Sequence, residues 1–444
     1  MPPMTELPVP RPSACPGLLR IVQALDGGIC RVKLPGGVLA ASQARAIAEA
    51  AQRFASGVLE LTNRSNLQIR GVRAESEQDL IRALLDANLG PSVADADDVR
   101  NLMLSPAAGL DRQQHMDTRP LAEDLLALLQ DKRALHALSA KFAIQLDGGE
   151  SLCMLEHAHD LWLRALPGTP QQLVFGLAGC PTDRPLGMVA AADAVQLVEA
   201  ILLTFLERAG PEQSRMRQLL ESIPAEELLR RVQARLPTAL SPVPANWQRQ
   251  TPAADAPFGI VAQRQPGLAM VVASATLGRI DASQLLAVAE LARLHGDGSL
   301  RLTPWQGLLI PNVPDNEADA LLAALRQVGL LTYRAAPLAN LIACTGSAGC
   351  ARGLADTKHD ALKLATCLLQ HGAHPHVHLS GCSRSCAAAH VAPFTLLAVA
   401  DNRYQLFERA AGMAGFGQPL ASPMTIDQAG AWLAQHHATG RTHA

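Results

Sequence analysis

The sequence predicts a mixed α+β protein of three domains built around an internal duplication, and three observations predict it. Residues 34–72 and 275–313 align without a gap at a shift of 241, pairing Ala41 with Ala282, Ser42 with Ser283, Gln43 with Gln284, Thr62 with Thr303 and Val72 with Val313. A run rich in Pro and Ala, 236–257, leads into the second copy. Four cysteines crowd into the last quarter of the 444 residues, a length that suits two or three domains.

Each copy reads strand, helix, strand. Ser42 and Ser283 stand near the helix starts, where a hydroxyl can cap free amides. Ala46, Ile47 and Ala50 recur at helical spacing, as do Ala287, Val288 and Leu291, and Gly57 and Gly298 end the helices. Leu59 and Leu61 alternate in the strand that follows, matched by Leu300 and Leu302. The two copies are expected to pair around a pseudo-two-fold axis. Between them the pattern predicts helices over 121–140 and 191–208, with a strand-like stretch, KFAIQLDGG, after the first. The expected division is 17–90 with 250–330 as paired half-domains, 91–249 as a middle α/β domain and 331–444 as the cysteine-bearing domain.

The chemistry rests on the cysteines. Cys344 and Cys350 are spaced C-x5-C in CTGSAGC; Cys382 and Cys386 are spaced C-x3-C in GCSRSC. A [4Fe–4S] cube takes four thiolates at its corners, and two short loops can supply two each. Gly346, Gly349 and Gly381 lie in or beside these loops, and wrapping a bulky cluster needs residues that tolerate positive φ. Paired zinc ligands usually sit roughly two to four residues apart, so the wider gap fits zinc poorly. The chain is therefore expected to carry electrons. Cys15, Cys30, Cys153, Cys180 and Cys367 lack partner spacing and read as packing residues.

Composition excludes several classes. Hydrophobic residues make up 48%, enough for a sizeable core. A net charge of −2 gives no basic field for nucleic acid, and 3% aromatics give no base-stacking surface. Neither GxGxxG nor GxxxxGK[ST] occurs, so electrons are expected from an external donor, NAD(P)H through a reductase or ferredoxin. The N-terminal residues show no apolar signal region, and no apolar run is long enough to span a bilayer. A reducing cytoplasm without a membrane partner is the expected setting.

His371, His374, His376 and His378 precede the second cysteine pair, and His390 follows it. On a strand, His376 and His378 would share a face. Neutral imidazole is a common ligand for non-haem iron. His376, His378 and His390 are thus candidates for a second iron, against the alternative of ordinary hydrogen-bonded histidines. Arg64, flanked by Asn63, Ser65 and Asn66 at a strand end, reads as a binding residue; Arg70 and Arg73 read as solvated surface.

Taken together, the cysteine quartet, LPGG at 34–37, LTNRSNLQ at 61–68 and the duplicated unit resemble the sulfite and nitrite reductase family, from about Gly17 to about Ala400. The resemblance implies that family's three-domain fold, with ferredoxin-like half-domains and a tetrapyrrole site beside the cluster. The short length and RLTPWQGLLIPNV at 301–313 are similar to the family's oxygen-dependent branch in cobalamin biosynthesis. That branch implies a monooxygenase that hydroxylates precorrin-3A at a meso carbon and closes a lactone. It uses O2, a reductant, the [4Fe–4S] cluster and a non-haem iron. A sirohaem-dependent sulfite or nitrite reductase is the alternative. Carried over by position, Arg31, Arg64, Gln68, Arg100 and Lys141 match tetrapyrrole-facing residues, and Cys386 matches a cysteine whose sulfur bridges cluster and haem iron. The second of the family's two distal lysines is Ala143 here, which removes positive charge that a small sulfite ion needs. GCSRSC also departs from the family's GCPNGC. Precorrins carry acetate and propionate arms, which arginine's planar fork binds bidentately.

Overall fold

The structure, a computed structural model, describes residues 14–245, 247–249, 258–388, 392–410, 415–420 and 422–440. It is a mixed α+β fold organised on four five-stranded sheets. The first sheet orders Val22–Ala24, Gly27–Val32, Leu67–Val72, Val58–Leu61 and Arg279–Asp281, all antiparallel. The second orders Gly259–Ala262, Leu268–Ser274, Gly307–Pro314, Ser299–Leu302 and Val38–Ala40, also antiparallel. The last strand of each sheet belongs to the other copy of the repeat. Arg279 pairs with Glu60, and Val38 pairs with Arg301. The copies thus meet by exchanging a strand, which explains why their hydrophobic core is continuous.

Alternation decides which face of each strand is core. In Gly27–Val32, Cys30 and Val32 are buried in the shared core while Ile29 and Arg31 face the other way. The helices Ala41–Phe54 and Ala282–His295 pack against one another on the core side. Their starts differ from expectation. Ser42 and Ser283 lie inside the first turn, two residues too late to cap. Asp281 caps the second helix by accepting from the Gln284 amide at 2.8 Å. The residue the copies share for this purpose is the glutamine. Gln43 and Gln284 accept from the backbone N–H groups of Ala40 and Asp281 at 3.1 and 2.9 Å. Gly57 and Gly298, both with φ of 78°, do turn the chain after the helices.

The third sheet orders Gly187–Ala190, Thr169–Gly179, His159–Leu166, Ile144–Asp147 and Leu102–Met103. The fourth orders Leu341–Ala343, Val377–Ser380, Phe394–Ala400, Arg403–Glu408 and Gln418–Pro419. Taken in chain order, both run three parallel strands followed by two antiparallel ones. Their registers also agree: Ile144 pairs with Leu161 and Val377 with Phe394, and each residue of the second pair lies 233 beyond its counterpart. This is a second duplication, at the level of whole domains, which sequence reading did not find. The helix expected over 121–140 is Arg119–Asp131. Lys132 then turns extended, and a short 3-10 segment, Arg133–Ala137, sends Leu135 and Ala137 into the core. The second expected helix is Ala194–Arg208, preceded by a 3-10 turn.

Candidate functional site

The outer face of the first sheet carries one cross-strand row. Arg31 pairs with Gln68, Gln68 with Glu60, and Glu60 with Arg279. Arg70 lies two residues beyond Gln68 on the same face. This polar row faces the fourth sheet's loops, and the space between is a cavity of about 440 Å³. Arg31, Gln68, Glu60 and Arg70 line it on one side; Cys344, Cys350, Cys382 and Cys386 line it on the other.

Two parallel strands place the thiols. Leu341–Ala343 and Val377–Ser380 run side by side, so the loops after them emerge at the same sheet edge. Close glycine approaches let those loops fold around the space. Gly346 has φ of 66°, and a Cβ there would stand 2.4 Å from the Ala355 carbonyl; one on Gly353 would stand 2.4 Å from the Gly346 backbone. The Gly381 amide donates to Cys344 Sγ at 3.2 Å, a donor suited to a thiolate. Thr357 Oγ1 donates to the Cys344 carbonyl at 2.7 Å and fixes the start of the first loop. The Cys386 thiol is pushed up by burial and then by the negative potential of Cys382, Cys344 and Cys350. Four thiols around one cavity suit a cationic iron–sulfur core, which would take one thiolate ligand from each.

Glu60 gathers the charges behind the first loop. Arg279 Nη2 reaches it at 2.7 Å, Arg70 Nη1 at 3.4 Å and Lys358 Nζ at 3.7 Å. Thr345 Oγ1 donates to both carboxylate oxygens, at 3.0 and 3.2 Å. Burial alone would raise the Glu60 carboxyl, but Lys358, Arg70 and Arg279 bring it down to about 2. Burial lowers Lys358 to about 8 against the opposing pull of Glu60.

Among the expected tetrapyrrole residues, Arg31 and Gln68 lie on the cavity wall. The Arg31 side chain forms no ion pair or hydrogen bond among the described residues, and burial lowers its pKa. Arg64 sits at the tip of the TNRSN turn, which Thr62 Oγ1 closes by accepting from the Arg64 and Asn66 amides. Its guanidinium has no carboxylate partner among the described residues and donates only to the Lys141 carbonyl, at 3.4 Å. Burial, then Arg215 and Arg31, push it down to about 10. Arg64 and Arg100 line a small recess with Ala143 and His159. Arg100 is engaged by Asp97 at 3.6 Å and by the Leu89 carbonyl at 3.3 Å. Lys141 is exposed.

The histidine candidates are not brought to the cavity. His376 Nε2 is 2.8 Å from Arg334 Nη2, and His378 is buried in its strand; neither lines the wall. His390 lies outside the described residues. Among the described residues, no group of three His, Cys, Asp or Glu side chains is arranged to hold a single metal ion. Arg70, read as surface, is instead buried, 2.7 Å from Asp26 and on the cavity wall. Arg73 is half-exposed, as expected. Sequence reading also missed Glu60, Arg279, Lys358 and Thr345. The signal was available in part: Glu60 and Arg70 are charges inside strands whose alternate residues are core leucines and isoleucine.

No helix among the described residues is long and apolar enough to cross a membrane. The family described as nitrite/sulfite reductase ferredoxin-like half domain matches residues 22–87 and 261–328, and the nitrite and sulphite reductase 4Fe-4S domain matches 95–240. The chain is 30% identical to the chloroplastic ferredoxin–nitrite reductases of Spinacia oleracea and Zea mays, over 82% of its own length. It spans 65% of the spinach protein and 68% of the maize one. It is 28% identical to a precorrin-3B synthase of Sinorhizobium sp., over 87% of its own length and 81% of that protein's. In fold it is similar to the Mycobacterium tuberculosis NirA protein, with a TM-score of 0.75 at 22% identity, covering 92% of this chain and 79% of that one. With its half-domain pair, its middle domain and a 30% identical relative all matched, the chain belongs to the nitrite and sulfite reductase family.

Proposed function

We propose that the chain is an oxidoreductase of the precorrin-3B synthase type, holding a [4Fe–4S] cluster on Cys344, Cys350, Cys382 and Cys386 and taking the tetrapyrrole polyacid precorrin-3A as substrate. The observation that carries this reading is the single cavity whose walls are four thiols on one side and Arg31 with Gln68 on the other. A cluster there would relay single electrons from an external donor. Arg31 and Arg64, half-buried and without carboxylate partners among the described residues, would clamp anionic arms of the macrocycle, since a charge withdrawn from water needs a counter-charge. The facing sheet orients the ligand and keeps bulk water from it. In the overall reaction one oxygen atom of O2 enters the substrate at a meso carbon. The other leaves as water, with two electrons from the reductant and two protons, and a side-chain carboxyl closes the lactone.

Two features favour this branch. The chain spans more of the precorrin-3B synthase than of the chloroplast nitrite reductases. Ala143 stands where the family's second distal lysine would be, which lowers the positive charge available to a small oxyanion. A sirohaem-dependent nitrite or sulfite reductase is the second reading, favoured by the 30% identity to nitrite reductases. Anaerobically purified protein incubated with precorrin-3A, O2 and a reductant tests the choice. The expected result is a hydroxylated lactone together with about four iron and four sulfide per chain. Tightly bound sirohaem with turnover of nitrite or sulfite, and no such product, would establish the second reading instead.

A further inference from the structure

We propose that Glu60 is a positioning residue that clasps the 344–350 loop to the first sheet, and that the cations ringing it, whose charge it partly offsets, bias a cluster on that loop toward its reduced form. The proposal rests on the cluster reading above. Three contacts pin the loop from outside. Lys358 Nζ donates to the Ala343 carbonyl at 3.1 Å, before the first cysteine, and to the Leu277 carbonyl at 2.5 Å. Thr345 Oγ1 donates to Glu60 just after it. Arg70 Nη2 donates to the Gly349 carbonyl at 3.3 Å, just before the second cysteine. All three groups converge on the Glu60 carboxylate, which is 8% exposed. Cys344 and Cys350 are therefore held in part by Glu60 and Arg70, charges on a sheet that contributes no thiol to the cavity, with Lys358 reaching in from the helix Thr357–Gln370.

The repeat supplies independent support. The residue 241 beyond Glu60 is Arg301, in the matching strand of the second sheet. Arg301 Nη1 donates to the Pro106 and Ala108 carbonyls, each at 2.8 Å. Those carbonyls belong to the turn after Leu102–Met103, the middle domain's counterpart of the 344–350 loop. One position of the duplicated unit thus clasps the equivalent turn in both halves. Only on the cysteine side is the clasp a carboxylate ringed by Arg70, Arg279 and Lys358. A four-thiolate cluster is anionic and gains a further negative charge on reduction, so cations held nearby favour the reduced state.

Glu60→Gln and, as a milder change that removes one hydroxyl, Thr345→Val test the clasp. Amide hydrogen exchange over 343–350 is read on the cluster-free chain, and the reduction midpoint on the loaded protein. Loss of a charge-assisted contact is expected to speed loop exchange about tenfold or more in Glu60→Gln, and less in Thr345→Val. Removing the negative charge is expected to leave the three cations less compensated and move the midpoint upward. Exchange at the wild-type rate in both variants would overturn the clasp, and an unmoved or lowered midpoint would overturn the electrostatic bias. Wild-type protein without iron and sulfide would instead overturn the cluster reading, while the exchange comparison, made without the cluster, still decides the clasp.

Discussion

The two halves of this molecule are built alike and filled differently. One half sets the first sheet against the cysteine-bearing domain; the other sets the second sheet against the middle domain. On the first sheet the cross-strand row reads Arg31, Gln68, Glu60, Arg279. At the shift of 241, the row on the second sheet reads Val272, Leu309, Arg301, Val38. Opposite the polar row lie four thiols and a cavity. Opposite the apolar row, Val272 and Leu309 pack with Met270, Ala107, Leu110 and Leu152 into a small core. The thiol positions have also changed: Cys344 corresponds to Ser105 and Cys382 to Gly149, while Cys386 alone keeps a cysteine, Cys153. Ser105 Oγ, 2.9 Å from the Leu152 carbonyl, spends its hydrogen bond inside the core. The same backbone therefore encloses either an open cavity or a packed interior, according to the polarity of one cross-strand row and four loop positions.

The strongest way to break this comparison is to exchange its sulfurs. Cys382→Ser is expected to remove iron and acid-labile sulfide altogether, because a corner of the cube is lost. Cys153→Ser, at the buried counterpart of Cys386, is expected to leave both counts at wild-type values. Iron and sulfide analysis of the two purified variants checks this, and loss of cluster in Cys153→Ser would mean that the filled half still takes part in metal binding.

The next test reads packing. Leu309 is fully buried in the filled half, so Leu309→Ala is expected to cost about 2–5 kcal/mol of stability. Gln68 occupies the same row position but faces the cavity, so Gln68→Ala is expected to cost under about 1 kcal/mol. Urea unfolding of both variants gives the two values. Equal costs would mean that the two rows are packed alike.

Ligand binding gives a smaller effect at a third row position. Arg31→Ala is expected to weaken binding of a tetrapyrrole polyacid by about 1.5–3 kcal/mol, roughly ten- to a hundredfold, with most of the loss persisting at high salt because the guanidinium is withdrawn from water. The counterpart change, Val272→Ala, is expected to leave that affinity unaltered. Titration of both variants with the polyacid, at low and high ionic strength, supplies the comparison.

Legibility followed the same divide. The strand–helix–strand copies were readable because their hydrophobic periods and the shared Ala-Ser-Gln survive at one constant shift. The domain-level duplication was not, since its offset is 239 at Leu102 and Leu341 but 233 at Ile144 and Val377, and its thiols have mostly been replaced. The cysteine quartet was readable from spacing, because both pairs lie within short loops. Glu60, Arg279 and Lys358 were not, because their association depends on a strand exchanged between residues more than two hundred positions apart. Arg70 was misread as surface because a lone arginine in a strand looks solvated until the facing domain is known.

Acid–base behaviour offers the finest discrimination. Glu60 is held down to about 2 by its cations, whereas Glu150, in the filled half, is pushed up to about 8, by burial first and then by the Asp147 carboxylate. The two carboxyls affect stability with opposite signs. Glu60 is ionised in the fold, so its contribution is present above its ordinary value of 4.5 and is lost as pH falls toward 2. Glu150 is favoured in its protonated form, so its contribution is complete below 4.5 and is lost as pH rises toward 8. Its Oε2 accepts from the Gly148 amide at 2.8 Å, and Oε1 has no partner among the described residues, so an ionised Glu150 would bury an unmatched charge. Glu150→Gln should therefore flatten the decline in stability between about pH 5 and pH 8, by on the order of 1–3 kcal/mol at the alkaline end, while leaving the acid limb to Glu60. Unfolding free energies across that range decide it. A wild-type curve as flat as the variant's would mean that water reaches Glu150, and that the middle domain is less completely filled than its apolar row implies.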